Sequence, residues 1–177
     1  MKKFLIILSI FLIFLLIYFL QSNFFSWFNL AGIKPNLFII FILLIGLFAG
    51  QTMGTTFGII FGISLDMFIG KSIGVSATML GIIGFFGGYL DKNFSKNSRI
   101  TIMLMSVGAT VIYELGIYIF YNVTSYGLID ILGFIKILLI ETIFNIIIVI
   151  ILYPILAKMG YYAENNLRKQ KILTRYF

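Results

Sequence analysis

Residues 54–74 read GTTFGIIFGISLDMFIGKSIG, with glycines at 54, 58, 62, 70 and 74 and an aspartate at 66. Steps of four residues keep Gly54, Gly58, Gly62, Asp66 and Gly70 on one slowly drifting helix face. The segment therefore predicts a helix with one face nearly free of side-chain bulk and a single carboxylate on it. The remainder is mostly Ile, Phe, Leu and Met. In water such a helix is poor, because each interior glycine costs about 1 kcal/mol against alanine. In a bilayer the same glycines let a neighbouring backbone approach closely, and packing replaces the missing hydrophobic drive. Asp66 must then point into a bundle, since facing lipid costs on the order of 3 kcal/mol.

Composition agrees. The 177 residues are 61% hydrophobic and 11% charged, against about 25% charged in soluble domains. This is the profile of an all-α integral membrane protein, one transmembrane domain with no separate soluble domain. The absence of cysteine and histidine removes disulfides, thiol nucleophiles and imidazole chemistry. No phosphate-cradling, zinc-protease or nucleophile-elbow motif occurs. The expectation is a protein that is not an enzyme, with no catalytic residue, metal or cofactor. The net charge of +7 sits in short flanks between apolar runs, which points to membrane topology rather than a nucleic-acid partner.

Working outward, six spans are expected at about 4–20, 35–50, 54–70, 73–90, 100–121 and 131–156. The first follows Lys2-Lys3 and lacks a small-x-small cleavage site, so it reads as an uncleaved span. Residues 24–33, FFSWFNLAGI, suit the membrane interface, and Pro35 suits the first turn of the second span. From 37 to 69 the chain is apolar, without a charge before Asp66. One helix there would be about 50 Å long against a hydrocarbon core of about 30 Å, so a turn is expected at 50–54. Charge placement selects this reading. Six crossings put Lys2, Lys3, Lys92, Lys96, Arg99, Lys158 and the four basic residues of 168–175 on one side, and only Lys34, Lys71 and Lys136 on the other. One long span would oppose the amino-terminal lysines. The positive-inside rule thus predicts cytoplasmic termini and a basic cytoplasmic tail over 157–177, lying on anionic lipid or a partner. The fourth span carries Gly74, Ala77, Gly81, Gly84 and Gly88 at alternating steps of three and four, a straight packing stripe.

Three acids fall inside spans: Asp66, Glu114 and Glu141. At 1.5 Å per residue they lie roughly 6, 12 and 15 Å below the outer span ends. Asn145 sits one turn from Glu141 on the same face. Lys71 and Lys136 lie near the outer boundary, placed to offset part of this charge. Two readings stand: the acids line an outward cavity for a ligand or a partner's polar group, or they are internal hydrogen-bond and ion-pair partners that fix helix register. Asp66, sharing the glycine face, is the stronger structural candidate. The glycine stripes likewise read either as a partner interface or as close internal packing.

The pattern resembles the rod shape-determining protein MreD family. The resemblance rests on residues 54–74, on GVSATMLGIIGFFGGYLD at 74–91, and on a late polar helix containing Thr142, Asn145 and Pro154. It implies a non-catalytic membrane scaffold of the bacterial cell-elongation complex. The scaffold would bind the bitopic protein MreC and, through it, the MreB filament, RodA and a class B penicillin-binding protein. It also implies a six-helix fold like the substrate-binding subunits of energy-coupling-factor transporters, with Asp66 at the family's characteristic aspartate. That fold supplies the alternative reading, a vitamin-binding transporter subunit. Against it, those subunits dock through a small-xxx-small first helix, whereas residues 4–20 here contain one serine and no glycine or alanine. Self-association is left open.

Overall fold

The computed structural model describes residues 2–69, 73–91, 98–125 and 130–167. Its helices are α1 (Lys2–Phe19), α2 (Leu37–Ala49), α3 (Gln51–Ile69), α4 (Val75–Leu90), α5 (Arg99–Ser125) and α6 (Ile131–Leu167). The described residues form an all-α bundle of the multi-pass membrane type. Stretches Phe4–Trp27, Arg99–Thr124 and Ile131–Ile155 are long and apolar enough to cross a bilayer, and α2 and α4 are shorter apolar helices.

The bundle is organised around α2. Every residue from Leu37 to Phe48 is buried, so this helix is apolar all round and has no water- or lipid-facing stripe to spare for polar groups. Around it the outer helices are apolar on both sides. On α1, Ile6, Ile10 and Phe14 recur every fourth residue and are buried, whereas Phe4, Leu8, Phe11 and Leu15 are exposed. Phe14 stacks on Phe61 of α3 at 4.1 Å between ring centroids. An outer surface this apolar is what lipid requires of a bundle that keeps its polar groups inside.

The links between helices follow their chemistry. α1 continues through a π-helical turn, Leu20–Phe24, and a single α-turn, Phe25–Trp27. Trp27 is 89% exposed, as an interfacial anchor should be. Pro35 precedes α2 rather than opening it, because the helix begins at Leu37. Gln21 holds that entry: its amide nitrogen donates to the Pro35 carbonyl at 2.6 Å, and its amide oxygen accepts from the Leu37 N–H at 3.3 Å. The break between α2 and α3 is one residue, Gly50, at φ 98°, a conformation that is cheap only without a Cβ. At the far end, α6 runs past Pro154 to Leu167, so residues 157–167 of the expected tail are helical. Tyr161 meets Phe48 edge-on at 5.2 Å, which ties this extension to the end of α2. Residues 168–177 lie outside the described residues.

Candidate functional site: a glycine junction and a buried polar cluster

Three helices meet where their backbones touch. A Cβ on Gly54 of α3 would lie 2.4 Å from the Gly84 oxygen of α4 and 2.6 Å from the Gly46 Cα of α2. One on Gly58 would lie 2.4 Å from the Leu80 oxygen, and one on Gly62 2.3 Å from the Ala77 Cα. Along α4, Gly84 and Gly88 face the Gly54 and Gln51 backbones, and Gly87 faces the Leu43 carbonyl of α2. Gly81 lies off this line, against the Ile59 side chain alone. Gly74 has φ 103° and opens α4 instead of packing, and Gly70 is outside the described residues. The small-residue faces of α3 and α4 are therefore turned towards each other and α2. Sequence reasoning had no basis for Gly87, which breaks the expected spacing; Gly46 continues the four-residue spacing back from Gly54 through Gly50, but its meeting with Gly84 of α4 carries no sequence signal.

Asp66 is 5% exposed and closes the next helix. Its carboxylate accepts from the Gly74 N–H at 2.8 Å, the Ser76 N–H at 3.2 Å and the Ala77 N–H at 3.4 Å. These are first-turn donors that have no partner within α4. A carboxylate there also faces the positive end of the helix dipole. The α3–α4 connection is thus capped from the preceding helix, a role that needs the acid at the end of the glycine face.

Glu114, Glu141 and Asn145 come together between α5 and α6. The carboxyls of Glu114 and Glu141 lie within hydrogen-bonding reach of each other. Asn145, 1% exposed, accepts the Asn36 N–H at 2.9 Å and donates to the Thr110 hydroxyl at 2.9 Å. Thr110 donates to the Ser106 carbonyl at 2.9 Å. The Tyr113 hydroxyl is in reach of the Ser76 and Asn36 side chains, which brings α4 and the entry of α2 into the same cluster. Ser106, Thr110 and Glu114 follow one another at steps of four on α5, a polar stripe legible in the sequence; Asn36 and Ser76 arrive from distant segments and carry no such signal. Lys136, expected near the acids, is exposed, and Lys71 lies outside the described residues. One turn further along α5 from Glu114, Tyr118 stacks on Phe134 of α6 at 4.2 Å.

A third feature is apolar. Between α4 and α5 runs a groove of about 560 Å³ lined by Ile83, Phe86, Leu90, Thr101, Leu104, Met105, Gly108, Ala109 and Ile112, with Leu43 of α2 at its floor. Gly108 has nothing within 4 Å of where a Cβ would stand, so it is the one glycine inside a described helix without a neighbour. Among the described residues no group of three or more acidic side chains is arranged to hold a metal ion.

No curated protein and no solved structure matches the chain. The model of the rod shape-determining protein MreD family matches residues 2–161. That match takes in every described helix except the last residues of α6, and with it the glycine junction, the capping aspartate and the polar cluster: the chain belongs to the rod shape-determining protein MreD family.

Proposed function

We propose that the protein is a non-catalytic six-span scaffold of the rod complex, with both termini in the cytoplasm, whose bundle presents a docking groove for the transmembrane helix of an MreC-like bitopic partner. The family match over residues 2–161 carries the reading. The asymmetry of basic residues supports the six crossings and the orientation, with the 13-residue α2 and the 16-residue α4 as short crossings inside the bundle. The family's implied likeness to energy-coupling-factor substrate subunits belongs to the same proposal, as does the assembly with MreB, RodA and a class B penicillin-binding protein. No observation favours the vitamin-binding alternative.

The place of docking follows from which small residues are already used. Gly54, Gly58, Gly62, Gly84 and Gly88 are filled by neighbouring backbone within the chain, so they build the bundle. The groove over Gly108 is apolar, elongated along α4 and α5, and open at a glycine. A partner helix gains dispersion contact there that lipid chains make less well. Gly108→Leu fills the groove with a side chain and leaves the internal contacts alone. Purification of the tagged chain from native membranes, with partners identified by mass spectrometry, tests the reading. The wild type is expected to recover an MreC-like protein, and Gly108→Leu to recover at least tenfold less at equal chain level. Equal recovery would move the interface elsewhere; recovery of paired ATPases and a coupling protein in place of MreC would overturn the scaffold reading.

A further inference from the structure

The connection between α1 and α2 is irregular, and the length of α2 carries it towards the membrane interior. α2 has 13 residues and spans roughly 20 Å, against a hydrocarbon core of about 30 Å. At least one of its ends therefore lies inside the hydrocarbon layer, and the entry end is built for it. Irregular backbone is tolerated at that depth only where its polar groups find partners in the protein. Leu30 and Ile33 exchange both backbone hydrogen bonds, at 2.9 and 3.0 Å, and close a turn in which Ala31 and Gly32 have φ 54° and 82°. The Gly32 N–H donates to the Asn29 side-chain oxygen at 3.2 Å, and the Asn29 amide donates to the Ser26 carbonyl at 2.8 Å. Ser26 and Asn23 donate to the Ser22 and Phe19 carbonyls. Gln21 pins the base of the loop to Pro35 and Leu37, and Asn145 takes the Asn36 N–H. The polar side chains of the stretch are thus spent on main chain.

The outside of this closed loop is apolar. Phe24, Trp27, Phe28 and Leu30 are exposed, and the Phe24 and Phe28 rings stack at 4.7 Å. The face continues the exposed apolar face of α1 through Phe19, the surface that α1 gives to lipid. An aromatic face continuous with a lipid-facing helix, its donors turned inward, fits acyl chains better than water. Lys34, exposed just after the turn, suits the phosphate level above them. We propose that residues 21–36 form a closed wedge that inserts into the upper acyl layer of the leaflet opposite the amino terminus of α1, with phospholipid as its partner. The inserted wedge sets the depth at which α2 enters the bundle, because Gln21 ties its base to Leu37 and Asn36 ties it to Asn145 of α6. This role is independent of where a partner helix docks.

Trp27 is the only tryptophan in the chain, so its fluorescence reports on the wedge without labelling. The test uses the full chain reconstituted into phosphatidylcholine vesicles. Iodide on both sides of the membrane serves as the aqueous quencher, and lipid brominated in the upper half of its acyl chains as the membrane quencher. The brominated lipid is expected to cut the emission by about half or more, and iodide to quench roughly tenfold less than it quenches free tryptophan. Phe28→Trp on a Trp27→Phe background gives a second marker and is expected to behave alike. Asn29→Ala leaves the Gly32 N–H without its acceptor and should lift the wedge, with iodide quenching about doubled. Emission that iodide quenches as fully as free tryptophan, and that the bromines leave untouched, overturns the inference; the aromatic face then stands in water, open to an extramembrane protein. Stronger quenching by a headgroup spin label than by the chain bromines puts the segment on the bilayer surface and overturns it as well. Unchanged quenching in Asn29→Ala overturns the claim that internal hydrogen bonding admits the wedge.

Discussion

Alanine at Gly58 tests whether backbone contact holds α3 to α4. The added Cβ would stand 2.4 Å from the Leu80 oxygen, 2.7 Å from its carbonyl carbon and 2.9 Å from the Gly81 nitrogen. Ordinary contact starts at 3.4 Å, so the two helices must part by about 1 Å at a point where neither neighbour is a flexible side chain. A gap of that size forfeits a quarter to a half of the dispersion energy of the atoms lining it, and overpacking of this kind costs about 1–3 kcal/mol. Helix propensity works the other way, returning up to about 1 kcal/mol for replacing glycine. The expected net effect is a loss of roughly 1–2 kcal/mol, or a midpoint lowered by about 2–8 °C for a chain of this size. Gly108→Ala is the matched comparison, with the same atoms added and nothing within 4 Å; it should be neutral or slightly stabilising. Thermal unfolding of both variants, followed by loss of monomer in size-exclusion chromatography, gives the answer. Equal midpoints for Gly58→Ala and Gly108→Ala would refute the reasoning, because the two substitutions differ only in what the new carbon meets.

Other substitutions probe the remaining joints. Asp66→Asn keeps one acceptor oxygen for the first turn of α4, whereas Asp66→Leu strands three N–H groups; at about 1–3 kcal/mol for each buried unsatisfied group, the leucine variant should be distinctly less stable, and equal tolerance in a denaturation series would remove the capping role. Gly50→Ala forces a Cβ into a φ of 98° and should cost about 1–2 kcal/mol, visible as a lower unfolding midpoint with unchanged oligomeric state. Asn145→Leu cuts the links to Asn36 and Thr110 and should destabilise by about 2–4 kcal/mol, against less than half of that for Thr110→Val, which strands only one Asn145 hydrogen; similar losses would mean that the contact with the α2 entry contributes little.

The membrane class, the close-packing face at 54–66 and the break near Gly50 were legible in order along the chain. Each depends on local chemistry: an apolar run has the same meaning in any bilayer protein, glycines at steps of four share a face wherever the helix lies, and an apolar stretch longer than the bilayer must turn. Asp66 was legible in part. Its place on the glycine face pointed to the interior, but its hydrogen bonds to Gly74, Ser76 and Ala77 depend on how the following connection folds back. The limits of α2 and α6 were less legible, because Pro35 is compatible with either side of a helix start, and because the end of an apolar run does not end a helix that finds a docking site, as α6 does at Phe48.

Which partner each small or polar residue meets was decided by the tertiary structure. Spacing places Gly84 and Gly81 on the same stripe, yet a Cβ on Gly84 would meet the Gly54 backbone and one on Gly81 only the Ile59 side chain, although the Gly81 nitrogen itself lies against Gly58. Gly46 joins the junction because the one-residue turn at Gly50 lays α2 beside α3. Glu114 and Glu141 are separated by 26 intervening residues, and their meeting is a matter of how α5 and α6 pack; Asn36 and Ser76 reach the same cluster from two other elements. Periodicity along one helix defines a face, while the neighbour of that face is chosen by the summed packing of all the others.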